Sequence, residues 1–454
     1  MIGAAIHDRL GNELTGSAAD VEAFERAVDA QLRLADEAVD AWTEAGEELD
    51  FPLGTIGAAY FSCLSSEGPD AAAAATSLAT IDPAGLTERE RRHLAAASAY
   101  ASGDLDGARD LLGSLSVDHP RDVLALLVGH QLDFFRGDAM TLRDRIGRSL
   151  LAWDRDDSWF GFLRGMHAFG LEECGAYEAA EEAALDALER DERDVWALHA
   201  AVHTHEMRGA TAVGLALLDR HRKNWSAGNL FVVHNAWHEA LFLLDRGDID
   251  RLLASYDTTI HGPDASDIAL ELLDATALLW RLHLDRVEVG PRWEPVADAW
   301  EAKDPTPWYA FNDMHATMAF VGAGRLDEAR RRVALLEEYL ASDSTSAADV
   351  PTNVAMTAEV GLPVCTAMLA FGEERYDEVV DVLHPVRTVV QHFGGSHAQR
   401  DVVARTLLEA AVRGGRLRLA EALVSERLAN NPSSTYNQHQ LERLRERAAD
   451  DSAS

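Results

Sequence analysis

Apolar residues recur every three to four positions along nearly the whole chain, and strand-like alternation is almost absent. That period predicts one helix after another. A second pattern punctuates the first: a short glycine-containing turn followed by a helix rich in small residues. It appears as GDLDGARDLL from Gly103, RGDAMTLRDRI with Gly137 and GAYEAAEEAALDAL from Gly175. It returns as GATAVGLALL from Gly209, RGDIDRLLASY with Gly247 and GRLDEARRRVALL from Gly324, then as ERYDEVVDVL near Tyr376 and GRLRLAEALV from Gly415. The glycines fit helix C-caps. Thr87-x-x-Glu90 and Ser396-x-x-Gln399 fit capping boxes at helix starts.

From Gly103 to Gly247 the glycine spacings are 34, 38, 34 and 38 residues, and Gly247 to Gly324 spans 77, close to two more such units. A period near 34 with a turn between two helices is the tetratricopeptide signature. One such hairpin cannot bury its apolar face alone, so hairpins stack. The expected fold is all-α: a right-handed α-solenoid of tetratricopeptide-like helix-turn-helix repeats, continuous rather than divided. Residues 1–85 read as an N-terminal helical capping region, 86–447 as the repeat array and 448–454 as a frayed tail. The small polar stretch Ala341–Val350 is the expected loop.

Within this pattern Trp196–Leu244 stands out. It holds six of the 18 histidines: three in WALHAAVHTHEMRG, two in FVVHNAWHEALFLLDRG and His221 between them. His199/His203 and His234/His238 are i,i+4 pairs, so each pair shares one helical face. Counted back from the glycine closing each first helix, His203 and His199 lie at −6 and −10, His238 and His234 at −9 and −13, and His315 at −9. These positions form one stripe, with His130 (−7) and His167 (−8) toward its edge. First helices of such repeats line the concave surface, so the stripe is expected to face a groove.

The candidate ligand-binding residues are therefore His130, His199, His203, Glu206, His234, Asn235, His238, Asp313, His315 and Arg400. Arg400 enters from GGSHAQRD, a glycine turn into a helix start that suits an anion. His199, His203, His234 and His238 are the candidate metal ligands, since imidazoles with nearby carboxylates (Glu173, Glu206, Glu239, Asp313) can hold a divalent ion. Alternatively, the same histidines suit acid–base work near neutrality. HExxH is absent, as are GxSxG, P-loop, GxGxxG and CxxC patterns. Cys365 reads as a buried apolar residue and VGPRW (Val289–Trp293) as a surface turn.

Composition narrows the partners. The net charge of −36 opposes nucleic acid and anionic membranes. No apolar run reaches the ~18–20 residues of a membrane span, and the first residues lack a signal-peptide pattern. Three scattered cysteines form no disulfide framework, which points to a reducing cytoplasm. The expected partner is a protein, peptide or small molecule in the groove. Ligand identity and oligomeric state stay open.

From about Leu86 to about Ser433 the chain resembles the tetratricopeptide repeat protein 38 family, with a fainter echo in residues 15–60. The blocks that carry it are LTERERRHLAA, HPRDVLALLVGHQLDFFRGD, AFGLEECGAYEAAEEAALDAL, DVWALHAAVHTHEMRG, VVHNAWHEALFLLDRGD, VGPRW, FNDMHATMA, VGLPVC and GGSHAQRDV. The resemblance implies an intracellular helical-repeat protein. It marks His130, His199, His203, His205, Glu206, His234, Asn235, His238, Asn312, Asp313, His315, Gln399, Arg400 and Asp401; at His167 the family pattern has an aromatic residue. It names no reaction.

Overall fold

The turns decide the architecture. In the computed structural model, which describes residues 6–48, 51–342 and 351–453, all seven marker glycines (Gly103, Gly137, Gly175, Gly209, Gly247, Gly324 and Gly415) take positive φ. Only a residue without Cβ enters that region freely. At two of the GD turns the aspartate side chain restarts the chain as a helix cap: Asp104 accepts from the Gly107 amide at 2.8 Å and Asp138 from the Thr141 amide at 3.0 Å, whereas Asp248 makes no such bond. Both expected capping boxes form, at Thr87/Glu90 and Ser396/Gln399, and a third forms at Ser17/Asp20.

Four turns lack glycine. Leu34, Ser66, Arg286 and Glu374 hold positive φ with a side chain attached. Arg286 falls midway between Gly247 and Gly324, so it supplies the turn missing from that double interval. Leu34 and Ser66 carry the same turn into the region read as a cap.

The result is an all-α fold of helix-turn-helix hairpins, with one two-residue antiparallel strand pair (Ile6–His7 with Glu13–Leu14) among the described residues. The expected loop at 341–350 lies outside the described residues from Asp343 onward. The packing divides into two compact units. The first comprises 1–201, 223–232 and 343–355, and the second 202–222, 233–342 and 356–454.

In the first unit the hairpins Glu88–Ala101/Leu105–Asp118, Val123–Phe135/Ala139–Ser149 and Phe160–Glu173/Tyr177–Arg190 follow in order. An edge-to-face cluster of Phe24, Trp42 and Phe51 packs the N-terminal helices. Buried charges are cross-paired: Arg145 meets Asp133 at 2.6 Å, and Arg89 meets Asp122 at 2.8 Å.

In the second unit Ala269–Leu284 pairs with Trp293–Ala302, Ala310–Gly322 with Leu326–Ser342, Leu362–Gly372 with Tyr376–Val386, and His397–Arg413 with Leu417–Asn430. Four buried tryptophans anchor the core. The Trp280 and Trp300 indoles donate to Thr406 and Thr276, each at 2.9 Å. Trp237 lies under the Arg281 guanidinium at 5.2 Å. Trp293, expected on a surface turn, is buried against Gly322, where an added Cβ would come within 2.4 Å of the indole.

The reading of membrane potential needs a correction. Among the described residues Thr352–Gly372 is one helical stretch long and apolar enough to cross a membrane by length and composition. Glu359 and Pro363 break the run in sequence, which hid it. In the fold 61% of its apolar window is buried, as in a core helix.

Candidate functional site

The second unit assembles its histidines from two helices. Val195–Met207 brings His203 and Glu206, and Val232–Asp245 brings His234, Asn235 and His238. The i,i+4 spacing turns His234 and His238 toward one face, and their rings meet edge to face at 4.8 Å. His203 reaches the His238 ring at 4.4 Å. One ring nitrogen from each of the three lies within 4.8 Å of the other two.

Two carboxylates fix how the rings face. Asp274 Oδ2 lies 2.7 Å from His234 Nδ1, and Glu206 Oε2 lies 2.8 Å from His238 Nδ1. A ring held through Nδ1 by a carboxyl oxygen is fixed in orientation. Trp237 stacks on His234 at 5.4 Å and closes that side.

These residues are interior. His203 and His238 have no exposed surface, whereas a groove-lining stripe would be open to solvent. The reason is that the His203 and His238 rings pack against each other, which makes these positions core rather than groove. His234 retains 14% of its side-chain surface, which links the cluster to solvent.

Burial also sets the electrostatics. It pushes the Glu206 carboxyl up to about 8, helped by Asp401 and Asp245 and opposed by Arg281 and Arg405. Burial holds the His203 imidazole well below its ordinary value, with His234, His397 and Arg400 adding in the same direction. His203 is therefore neutral at pH 7.

The other candidates of this unit are placed as follows. Asn235 is fully buried and its side-chain amide has no hydrogen-bond partner among the described residues; it lies three residues before His238, on the same helical face. Glu239 pairs with Arg222 at 2.6 Å. Asp313 pairs with Arg332 at 3.2 Å, and burial raises its carboxyl to about 6. His315 is buried; its Nδ1 donates to the Phe311 carbonyl at 2.8 Å and burial holds the ring down to about 3. Arg400, expected as an anion clamp, is buried and donates to the Gly395 carbonyl of its own turn. Gln399 closes the capping box, and Asp401 bridges Arg405 and Arg427 at 2.7 and 2.6 Å. His205 is buried as well.

His130 and His199 belong to the first unit, so three of the four histidines named as metal candidates share the second. His199 packs against Phe169, Trp196 and Phe231, each 5.1 Å away. His130 meets Trp196 edge-on at 5.8 Å and lines a cavity of about 20 Å³ with Gln31, Gln131 and Asp194. Burial takes His130 down to about 3 and Asp194 up to about 8.

Sequence reading missed Asp274 and Arg281. They are two of the three charged residues, with Glu271, in the mostly apolar ALELLDATALLWRLHL, and charges on such a helix were the available signal. Arg281 donates to the Ala398 carbonyl at 2.6 Å.

No family model matches the chain. Among solved structures it is similar over 95% of its length to a monomeric IFIT1 mutant with Gppp-AAAA. That likeness has 13% identity, 91% coverage of the other chain and a TM-score of 0.39. It is similar over the same share to yeast Tom70, with 12% identity, 96% coverage and a TM-score of 0.34. At those identities and TM-scores the likeness carries no functional argument.

Proposed function

We propose that this tetratricopeptide-like protein binds a small polar molecule at the interior centre formed by His203, His234 and His238, and that it belongs to the tetratricopeptide repeat protein 38 family named by its motifs. One observation carries the reading. Three imidazoles converge inside an apolar unit while Asp274 and Glu206 orient two of them. Buried polar groups are destabilising unless hydrogen-bonded, so a fold retains such a cluster where a ligand repays it. The buried Asn235 amide beside it supports the same reading. Burial favours a small molecule over a peptide laid in an open groove. The net charge disfavours nucleic acid and anionic membrane lipid, and three scattered cysteines fit a reducing cytoplasm.

A second reading, acid–base catalysis, draws on the Glu206–His238 pair, because a carboxyl near 8 against an imidazole is poised to exchange a proton near neutrality. Native and denaturing mass spectrometry of the full chain test binding. The expected result is a mass released on denaturation from the wild type and lost in His203→Leu and His238→Leu variants that remain folded. No released mass, or release unchanged in both variants, would overturn it.

A further inference from the structure

We infer that His203, His234 and His238 bind a divalent transition metal of the zinc class. The inference deepens the reading above and rests on the same cluster, but it commits to what the cluster holds.

Three features of the geometry carry it. The donor set is right: three imidazole nitrogens within 4.8 Å of one another can converge on one ion at the ~2.0–2.1 Å zinc–nitrogen distance after small ring shifts. Imidazole donors select zinc, copper, iron or nickel over magnesium or calcium, which take oxygen ligands.

The supports are also right. Metal-ligating histidines characteristically donate their other ring N–H to a carboxylate. Here a carboxyl oxygen stands against that nitrogen twice, Asp274 at His234 Nδ1 and Glu206 at His238 Nδ1. The two carboxylates come from different helices, Ala269–Leu284 and Val195–Met207. Neither is neighbour to its histidine in sequence, so the pattern is a tertiary construction. Asp274 is itself buried among leucines, an expensive location for a carboxylate whose job is solely to cap a surface ring.

The surroundings are right too. Trp237 walls the cluster and the rings of His203 and His238 are wholly enclosed, while the exposed fraction of His234 provides an entry path.

The full chain, stripped with a chelator and dialysed, is titrated with Co²⁺ and with Zn²⁺. Bound metal is counted by elemental analysis, Co²⁺ coordination is read from its visible spectrum, and retained small molecules are followed by mass spectrometry. The expected result is one equivalent per chain, with a Co²⁺ spectrum of nitrogen ligation. Asp274→Asn keeps every donor and should weaken Zn²⁺ binding about 10–100-fold. His203→Gln should abolish stoichiometric uptake with the helical signal unchanged.

Sub-stoichiometric uptake by the wild type would overturn the inference. So would uptake unaltered in both variants, because the metal would then sit elsewhere. If His203→Gln fails to fold, Asp274→Asn decides alone. Release of a small molecule from metal-free protein would overturn the metal while leaving the binding reading intact; loss of both would end both.

Discussion

Each unit buries a histidine–carboxylate pair, and the two kinds of pair are built differently. In the first unit His93 uses both ring nitrogens on the protein: Nε2 faces Asp122 at 2.9 Å and Nδ1 faces the Tyr60 hydroxyl at 3.4 Å. Asp122 also meets Arg89 and caps the helix at Ala125, so its charge is fully compensated and its carboxyl lies far below the usual range despite burial. In the second unit His234 and His238 each set Nδ1 against a carboxyl oxygen, and their rings gather with His203. Glu206, with no arginine bonded to it, titrates high instead of low. The first arrangement closes on itself and ties elements together. The second orients nitrogens toward a common point.

The contrast predicts where truncation is most damaging. In the first unit Arg145→Met strips Asp133 of its bidentate partner and leaves a buried carboxylate beside only the partly exposed Arg109. Breaking a buried pair in this way should lower stability by about 3–5 kcal/mol, measured by urea unfolding of the folded wild type and variant. A loss below about 1 kcal/mol would mean that the first unit's charge pairs are not its cross-ties.

One substitution made in both units sharpens the comparison. His93→Leu removes a partner from a compensated network and should lose about 2–4 kcal/mol through the polar groups left unpaired. His203→Leu replaces a buried imidazole with an apolar side chain of similar size and should stay within about 1 kcal/mol of the chelator-treated wild type. Equal losses at the two positions would erase the distinction between tying and gathering.

How much of this was legible beforehand depended on what each feature needed. The turns were readable where glycine filled them, since Gly103 through Gly247 repeat at two alternating spacings. At Glu374 the following ERYDEVVDVL still showed the turn, but at Arg286 it was invisible, because an arginine in the left-handed region leaves no mark in the sequence. The histidine stripe was readable from register alone, and His203, His234 and His238 do come together. Whether the stripe faced water was not, because an i,i+4 face serves a groove or a core equally well. Asp274 was the hardest to see: it is 40 residues from His234 and only the packing of two helices joins them.

Titration separates interior groups by sign. Burial lowers His315 in the second unit to about 3, below its unfolded value near 6.5. Between those values the unfolded chain binds more protons, so stability falls as pH drops through that window. Asp194 in the first unit behaves oppositely. Its folded value near 8 exceeds the unfolded 3.8, so stability falls as pH rises between them. Asp194→Asn keeps an N-cap for the Ala197 amide and should raise stability at pH 8 by about 1–3 kcal/mol, the scale of relieving one buried unsatisfied group, with no gain at pH 4. Unfolding curves at the two pH values check this, and a gain of equal size at both would refute the assignment.

The smallest predicted effect bears on how the repeats close in the second unit. Arg286 sits at φ 58° with an exposed side chain, where Gly247 and Gly324 occupy the equivalent turns at 71° and 73°. A non-glycine residue there crowds its own Cβ against the backbone at roughly 1 kcal/mol. Arg286→Gly relieves that crowding but gives the unfolded chain more freedom, which takes back part of the gain. The net expectation is a stabilisation of about 0.5 kcal/mol, and Gly247→Ala should lose about 1 kcal/mol by the same reasoning. Opposite signs for these two changes would show that the interval between Gly247 and Gly324 is two hairpins sharing one turn geometry. The same sign for both would mean that Arg286 is held by contacts of its own and that its turn is a different structure.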